Sequence, residues 1–284
     1  MRPDRVILCN PRTDRWRQAL DPRSGVWDGV PGVDEVVIVE RFGELLRHGW
    51  AGGRQSIVVP LTRRALQGFP RLWWNLAPSR FAHGTCADKQ RFDRFMRRAG
   101  MEEMIPASWR RLEESRLPCV VKRLNKDGSF GVKVAWSRAE LEATVANKPF
   151  RRRPLLFQEL VEGLIDHATH CVAVEGRIVW HTSYAYDIDP ATRVQTTADH
   201  PARRRIDAAP SVLAQFERVL RALGYSGPVS FDWRPRGEGI VLFEINPRFG
   251  GSLMLDINRD DLRAALTALV QHARPPEWLP RQPR

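Results

Sequence analysis

The chain has 284 residues, 43% hydrophobic and 27% charged, with 45 Lys+Arg against 33 Asp+Glu and a formal net charge of +12. That balance is ordinary for a globular protein with a sizeable core, and it speaks against several classes. No apolar run approaches the ~20 residues of a membrane span, and the apolar stretch near the N-terminus is too short for a secretory signal. Cys9, Cys86, Cys119 and Cys171 form no C-x-x-C pair, so neither a disulfide framework nor a cysteine-bound metal is expected, and a reducing cytoplasm is the default compartment. The basic surplus invites phosphates, acidic substrates or nucleic acid. The runs Arg151–Arg153 and Arg203–Arg205 carry no interleaved aromatics, so they read as solvated surface, and nucleic acid is not the expected partner.

Three short apolar runs, 4–9 (DRVILC), 34–40 (DEVVIVE) and 56–60 (SIVVP), read as strands, with a helix around Glu44–His48. They predict a small N-terminal α/β layer. The stretch 61–86 is rich in Trp, Pro and Arg and fits no single period. Residues 88–100 read as a helix: Asp88 is placed to cap it, Phe92, Phe95 and Met96 share a face, and Gly100 stops it. A hairpin follows, with strands 118–124 and 132–136 around a glycine-bearing tip at 125–131. Ser137 and Glu140 form a capping-box pattern at the head of the next helix. A strand at 154–161 and a strand–turn–strand unit at 167–186 precede an amphipathic helix at 211–225. A hairpin at 227–246 turns at Gly237–Gly239, and a helix from Arg259 closes the fold before a Pro- and Arg-rich tail that reads as partly disordered.

Three stretches carry candidate chemistry. Lys122 ends a strand, and Gly128 and Gly131 bracket Ser129 and Phe130. Such a loop can bring backbone N–H groups close to phosphate oxygens, with the ammonium adding charge beneath. The same residues also suit an ordinary long hairpin with a surface lysine, and neither G-x-x-x-x-G-K-[ST] nor G-x-G-x-x-G is present. In FQELVEG (157–163) a strand end before Gly163 could offer backbone groups to a base edge, with Glu159, Glu162 or Asp166 on ribose hydroxyls; a plain edge strand is the simpler reading. In IVLFEINPRFGGS (240–252), Glu244, Asn246 and Arg248 alternate where a strand ends, and alternate residues of a strand share one face. The hairpin can bring Asp232 beside Glu244. Two carboxylates and an amide oxygen suit Mg²⁺, and a guanidinium suits phosphate. The alternative is an amphipathic edge strand in which Asp232 pairs with Arg234 or Arg236.

Taken in this order, the stretches resemble the ATP-grasp superfamily of carboxylate–amine ligases over about residues 85–272. ADKQRF…RRAGMEEMIPAS resembles the family's Asp-Lys helix, CVVKRLNKDGSFGV its phosphate-binding strand and loop, LLFQELVEG its adenine hinge, and VSFDWRP…VLFEINPRFGGS its metal strands. The resemblance implies a mixed α/β (α+β) fold. An N-terminal α/β pre-ATP-grasp domain would span 1–86, two α+β subdomains at 87–160 and 161–275 would clasp ATP, and 276–284 would be a tail. It implies Lys89 and Lys122 on the α- and β-phosphates, and Gly128, Ser129 and Gly131 in a mobile flap over the β- and γ-phosphates. Gln158, Glu159 and Val161 would line the adenine, and Asp166 or its rival Glu162 would bind ribose. Asp232, Glu244 and Asn246 would hold one or two Mg²⁺, with Mn²⁺ as a substitute. Arg248 would face the transferred phosphate, and Gly250, Gly251 and Ser252 would line the acyl-phosphate site.

The implied reaction joins a carboxylate to an amine, in small-molecule, peptide or secondary-metabolite synthesis. A protein or acidic peptide tail as acceptor, and a nucleotide-binding regulatory protein without turnover, remain alternatives. A homodimer is compatible with the family. One position departs from it: D-alanine ligase-like members carry an Arg two residues before the metal-binding Asp, and here that position is Ser230. This argues against that subgroup and leaves Arg248 as the chief cation there.

Overall fold

The structure, a computed structural model, describes residues 3–11, 13–49, 55–69, 71–124, 131–194 and 203–276. Three sheets organise these residues. In the first, β1 (Arg5–Cys9) runs parallel between β2 (Glu35–Val39) and β3 (Ser56–Pro60). β1 is buried at every position, as a central parallel strand covered on both faces must be. Two helices connect these strands: α1 (Asp14–Leu20), which the sequence reading did not contain, and α2 (Phe42–Gly49). The unassigned stretch 61–86 holds two short helices, α3 (Arg63–Gln67) and α4 (Arg80–Cys86). Each starts on a side-chain cap, Thr62 accepting from the Ala65 N–H and Ser79 from the Ala82 N–H.

The second sheet begins after α5 (Lys89–Arg98), whose cap is Asp88: its Oδ1 accepts from the N–H of Gln90 at 2.9 Å and of Arg91 at 3.0 Å. Its strands are β4 (Ser108–Trp109), β5 (Cys119–Arg123), β6 (Val132–Ala135) and β7 (Leu155–Glu159), in the spatial order β4-β7-β5-β6 and all antiparallel. The helix α6 (Arg138–Ala146) follows β6; Ser137 Oγ accepts from the Glu140 N–H, and Glu140 reaches back to the N–H of Trp136.

The third sheet is antiparallel with the order β10-β9-β8-β11-β12, where β8 is Ile165–Val174, β9 Arg177–Asp187, β10 Arg203–Ile206, β11 Gly227–Arg236 and β12 Gly239–Asn246. β10 corrects the reading of Arg203–Arg205 as plain solvated surface. The run is an edge strand paired to β9, with Arg204 on Asp187 and Arg205 on Asp261. Charged residues on an edge strand block further pairing, and they also hide the strand from a hydrophobic pattern.

Helices cover both faces of this sheet. On one face α7 (Pro210–Ala222) seats Phe216 on Phe231, ring centres 4.3 Å apart, and α5 adds Phe92 and Met96. On the other, α8 (Arg259–His272) shares a core with Val172, with Trp16 of α1 and with the first sheet. That second core holds the N-terminal layer against the end of β12. No helix among the described residues is long and apolar enough to cross a membrane.

Candidate active site

A cavity of about 680 Å³ is lined by β5 and β6 of the second sheet, by β8, β11 and β12 of the third, and by the first turn of α1. A β-bulge gives it its polar floor. Asp232 on β11 pairs with Glu244 on β12, but the next pair is Trp233 with Leu242, so Phe243 is an extra residue. A bulge of this kind switches which positions face which side. Ile240, Leu242 and Ile245 enter the core, while Phe243, Glu244 and Asn246 line the cavity. Without it, Glu244 would share the core face of Leu242. β11 alternates regularly, with Phe231 and Trp233 in the core and Ser230, Asp232 and Arg234 toward the cavity.

The charges on this floor are interlocked. Lys89, the first residue of α5, places Nζ 3.7 Å from Glu244 Oε1. Asn246 Nδ2 donates to Asp232 Oδ2 at 3.3 Å, and Arg248 Nη2 donates to Asn246 Oδ1 at 3.4 Å. Arg248 is buried, donates to the Phe249 carbonyl, and lies 5.6 Å from the Trp16 ring centre. Lys122 reaches in from β5, its Nζ 5.5 Å from the Phe243 ring centre. Burial, and then the charge of Lys89, push the Lys122 ammonium down to about 8, against the pull of Glu244, Asp166 and Asp232.

Arg234 and Arg236 do not pair with Asp232. Arg234 donates through Nε to Asp166 Oδ1 at 2.8 Å, and Arg236 bonds Glu159. Burial raises the Asp166 carboxyl above its usual range, while the charge of Arg234 and its hydrogen bond oppose that rise. At the opposite end, His170 Nε2 and Ser252 Oγ share a buried hydrogen bond of 2.7 Å. A Cβ on Gly250 would lie 2.2 Å from His170 Cε1, so the ring requires glycine there.

Of the residues singled out in the sequence, Lys89, Lys122, Glu159, Val161 and Asp166 line this one cavity, as do Asp232, Glu244, Asn246, Arg248, Gly251 and Ser252. Gln158 lines a small adjoining cleft, where its buried Oε1 accepts no hydrogen bond. Glu162 is exposed and lines neither cavity. Gly131, at φ +86°, packs on Arg123: a Cβ would meet Arg123 Cδ at 2.6 Å. Gly128, Ser129 and the rest of the expected hairpin tip at 125–130 lie outside the described residues, as does the tail beyond 276. The sequence reading missed Trp16, His170 and Arg234 as lining residues. His170 was within reach of the period-two rule, since Asp166, Ala168 and His170 alternate along β8.

Among the described residues no group of three or more His, Cys, Asp or Glu gathers as a metal site. The Asp232–Glu244 pair with Asn246 nevertheless offers only hard oxygen donors apart from the amide nitrogen, and like charges opposite each other across two strands call for a cation. Lys89 supplies part of that charge. The set fits Mg²⁺ with its other ligands taken from phosphate and water.

No protein-family model matches the chain. The D-alanine–D-alanine ligase B of Xanthomonas campestris is 27% identical over 163 residues, 53% of this chain and 48% of that ligase. The match thus spans about half the length of that curated relative. The D-alanine–D-alanine ligase from Bacillus anthracis superposes with a TM-score of 0.62 at 12% identity, covering 93% of this chain and 97% of that one. Its structure complexed with ATP gives 0.58 at 13% identity, over 95% and 98%. The L-amino acid ligase from Bacillus licheniformis gives 0.62 at 12% identity, over 97% of this chain and 76% of that one. The chain has the ATP-grasp fold shared by these ligases. At Ser230 it departs from the arginine of the D-alanine ligase-like pattern, although two of these relatives carry that name.

Proposed function

We propose that the chain is an ATP-dependent ligase that activates a carboxylate as an acyl phosphate and joins it to an amine. One observation carries the reading: two lysines, an opposed carboxylate pair with an amide, and a buried arginine converge on one cavity between two sheets. In a ligase of this kind Lys89 and Lys122 hold the α- and β-phosphates, and Glu159 and Val161 flank the adenine. Asp232, Glu244 and Asn246 hold Mg²⁺, which neutralises charge on the triphosphate when bound. The described sheets then correspond to an N-terminal unit to residue 86 and two clasping units divided near residue 160.

The chemistry asks little covalent work of the protein and much positioning. A substrate carboxylate oxygen attacks the γ-phosphorus, the bond to the bridging oxygen breaks, and ADP leaves. Arg248 lies at the strand end to bind the equatorial oxygens of the transferring group, where a guanidinium makes two parallel contacts. Gly251 and Ser252 line the space beside it. An amine then attacks the acyl carbon, phosphate departs with the C–O electrons, and the surplus N–H proton is lost to give the amide. Its test is ADP release in Mg-ATP over a panel of carboxylates and amines, with products identified by mass spectrometry. Amide product with stoichiometric ADP supports the reading. ATP binding with no ADP release from any pair in the panel would leave a nucleotide-binding protein and remove the ligase.

A further inference from the structure

Arg234 is the most buried charge in the cavity, its side chain 5% exposed, and it ties three segments together. Its Nε and Nη2 both bond the same oxygen of Asp166, Oδ1, at 2.8 and 2.6 Å. Its Nη1 donates to the carbonyl of Val161 in the stretch after β7. The guanidinium also stands 5.3 Å from the Phe243 ring centre. The aliphatic part of the side chain runs under Gly163: a Cβ there would lie 3.0 Å from Arg234 Cδ, and the φ of +118° already favours glycine. One side chain thus fixes the exit of β7, the start of β8 and the floor on β11.

The consequence for Asp166 is directional. An ionised carboxylate has about four acceptor positions on its two oxygens. Both guanidinium contacts fall on Oδ1, and among the described residues no donor bonds Oδ2. Asp166 lines the cavity, whereas Glu162 does not. We infer that Arg234 is a positioning residue that holds Asp166 with one oxygen free to accept from ribose hydroxyls, so that the site selects ribonucleotides over their 2′,3′-dideoxy counterparts. The inference rests on the nucleotide-binding reading above and adds to it the residue that sets sugar selectivity. A carboxylate held only by its own backbone could turn either oxygen inward; the two-pronged contact and the Val161 bond remove that freedom.

The test is calorimetry of the full chain in Mg²⁺ with ATP and with 2′,3′-dideoxy-ATP. Wild type should bind ATP at least about tenfold more tightly, the scale of a charge-assisted hydrogen bond lost from the sugar. In Arg234→Met and in Asp166→Asn the ratio should fall to within about twofold of one, with ATP weakened and dideoxy-ATP much less affected. Arg234→Lys keeps the charge and guards against a variant that does not fold; its ratio should also fall, because an ammonium cannot make the fork. A wild-type ratio near one overturns the inference and leaves the nucleotide site standing. So does a wild-type ratio retained in folded Arg234→Lys or Arg234→Met, or a ratio that collapses in Glu162→Gln and not in Asp166→Asn. No binding of either nucleotide by wild type overturns the nucleotide reading itself, and the inference with it.

Discussion

On one face of the β11–β12 hairpin, Phe231, Trp233, Leu242 and Ile245 are buried against Phe216, with the Phe216 and Phe231 rings stacked at 4.3 Å. On the other, a few ångströms of backbone away, Asp232 faces Glu244, Lys89 sits 3.7 Å from Glu244, and Lys122 is held at about 8. The first face follows the rule that a chain buries apolar surface in close-packed form. The second gathers charges that a stability-driven sequence would separate. Frustration of this kind, confined to a cavity, is what a binding site costs its fold. The two faces should therefore answer mutation in opposite currencies, stability on one and chemistry on the other.

The sharpest contrast comes from the apolar face. Phe231→Ala should cost about 3–5 kcal/mol, the usual range for an aromatic removed from a packed core. Thermal unfolding should shift down by roughly 10 °C, and ADP release should fall only in step with the folded fraction. A variant that keeps its melting point would mean that the Phe216–Phe231 stack is not the anchor of that face.

On the polar face, Arg248→Lys should lower ADP release about 100-fold, since the charge remains and the planar fork is lost. The melting point should move by no more than a few degrees, because Arg248 contributes one carbonyl bond and one amide bond rather than apolar packing. Full activity in this variant would put the phosphate-facing cation elsewhere.

Lys122 gives a smaller effect with a defined sign. Its folded value, about 8, lies below the ordinary lysine value of 10.5. Between those two pH values the folded chain has released a proton that the unfolded chain still holds, so this group's contribution to stability rises with pH across that window. Its penalty is fully present below pH 8. Phosphates favour the ammonium, so Mg-ATP binding above pH 8 should take up a proton and weaken toward tenfold per pH unit. Calorimetry in two buffers of different ionisation enthalpy reads that uptake directly, and Lys122→Met should abolish it. The same substitution should raise the melting point of the nucleotide-free chain, by the equivalent of about 1 kcal/mol, by removing a half-buried charge. Unchanged proton uptake in Lys122→Met would assign the titration to another group.

Much of this was legible from residues alone. Asp88, Ser137 and Gly100 marked helix ends through capping chemistry that needs only local sequence. The alternation of Glu244 and Asn246 marked one face of a strand end. What could not be read depends on pairs far apart in the chain. The bulge at Phe243 exists only in the register between β11 and β12, and it decides that Glu244 faces the cavity rather than the core. The partner of Arg234 is Asp166, 68 residues earlier, not the neighbouring Asp232. Helix α1 is seven residues long with two buried side chains, Trp16 and Leu20, too short for a helical period to stand out. The strand β10 is an arginine run without apolar alternation.

The account stands on the claim that the floor at Asp232, Glu244 and Asn246 serves chemistry and not the fold. Glu244→Gln tests it most directly, because the substitution keeps shape and removes one charge from an opposed pair. ADP release and melting temperature should be measured on the same preparation. The account predicts turnover lowered by about 1,000-fold or more, with a melting point within a few degrees of wild type or slightly above it as the repulsion with Asp232 is relieved. Turnover that survives, or a melting point that falls in step with activity, would contradict it.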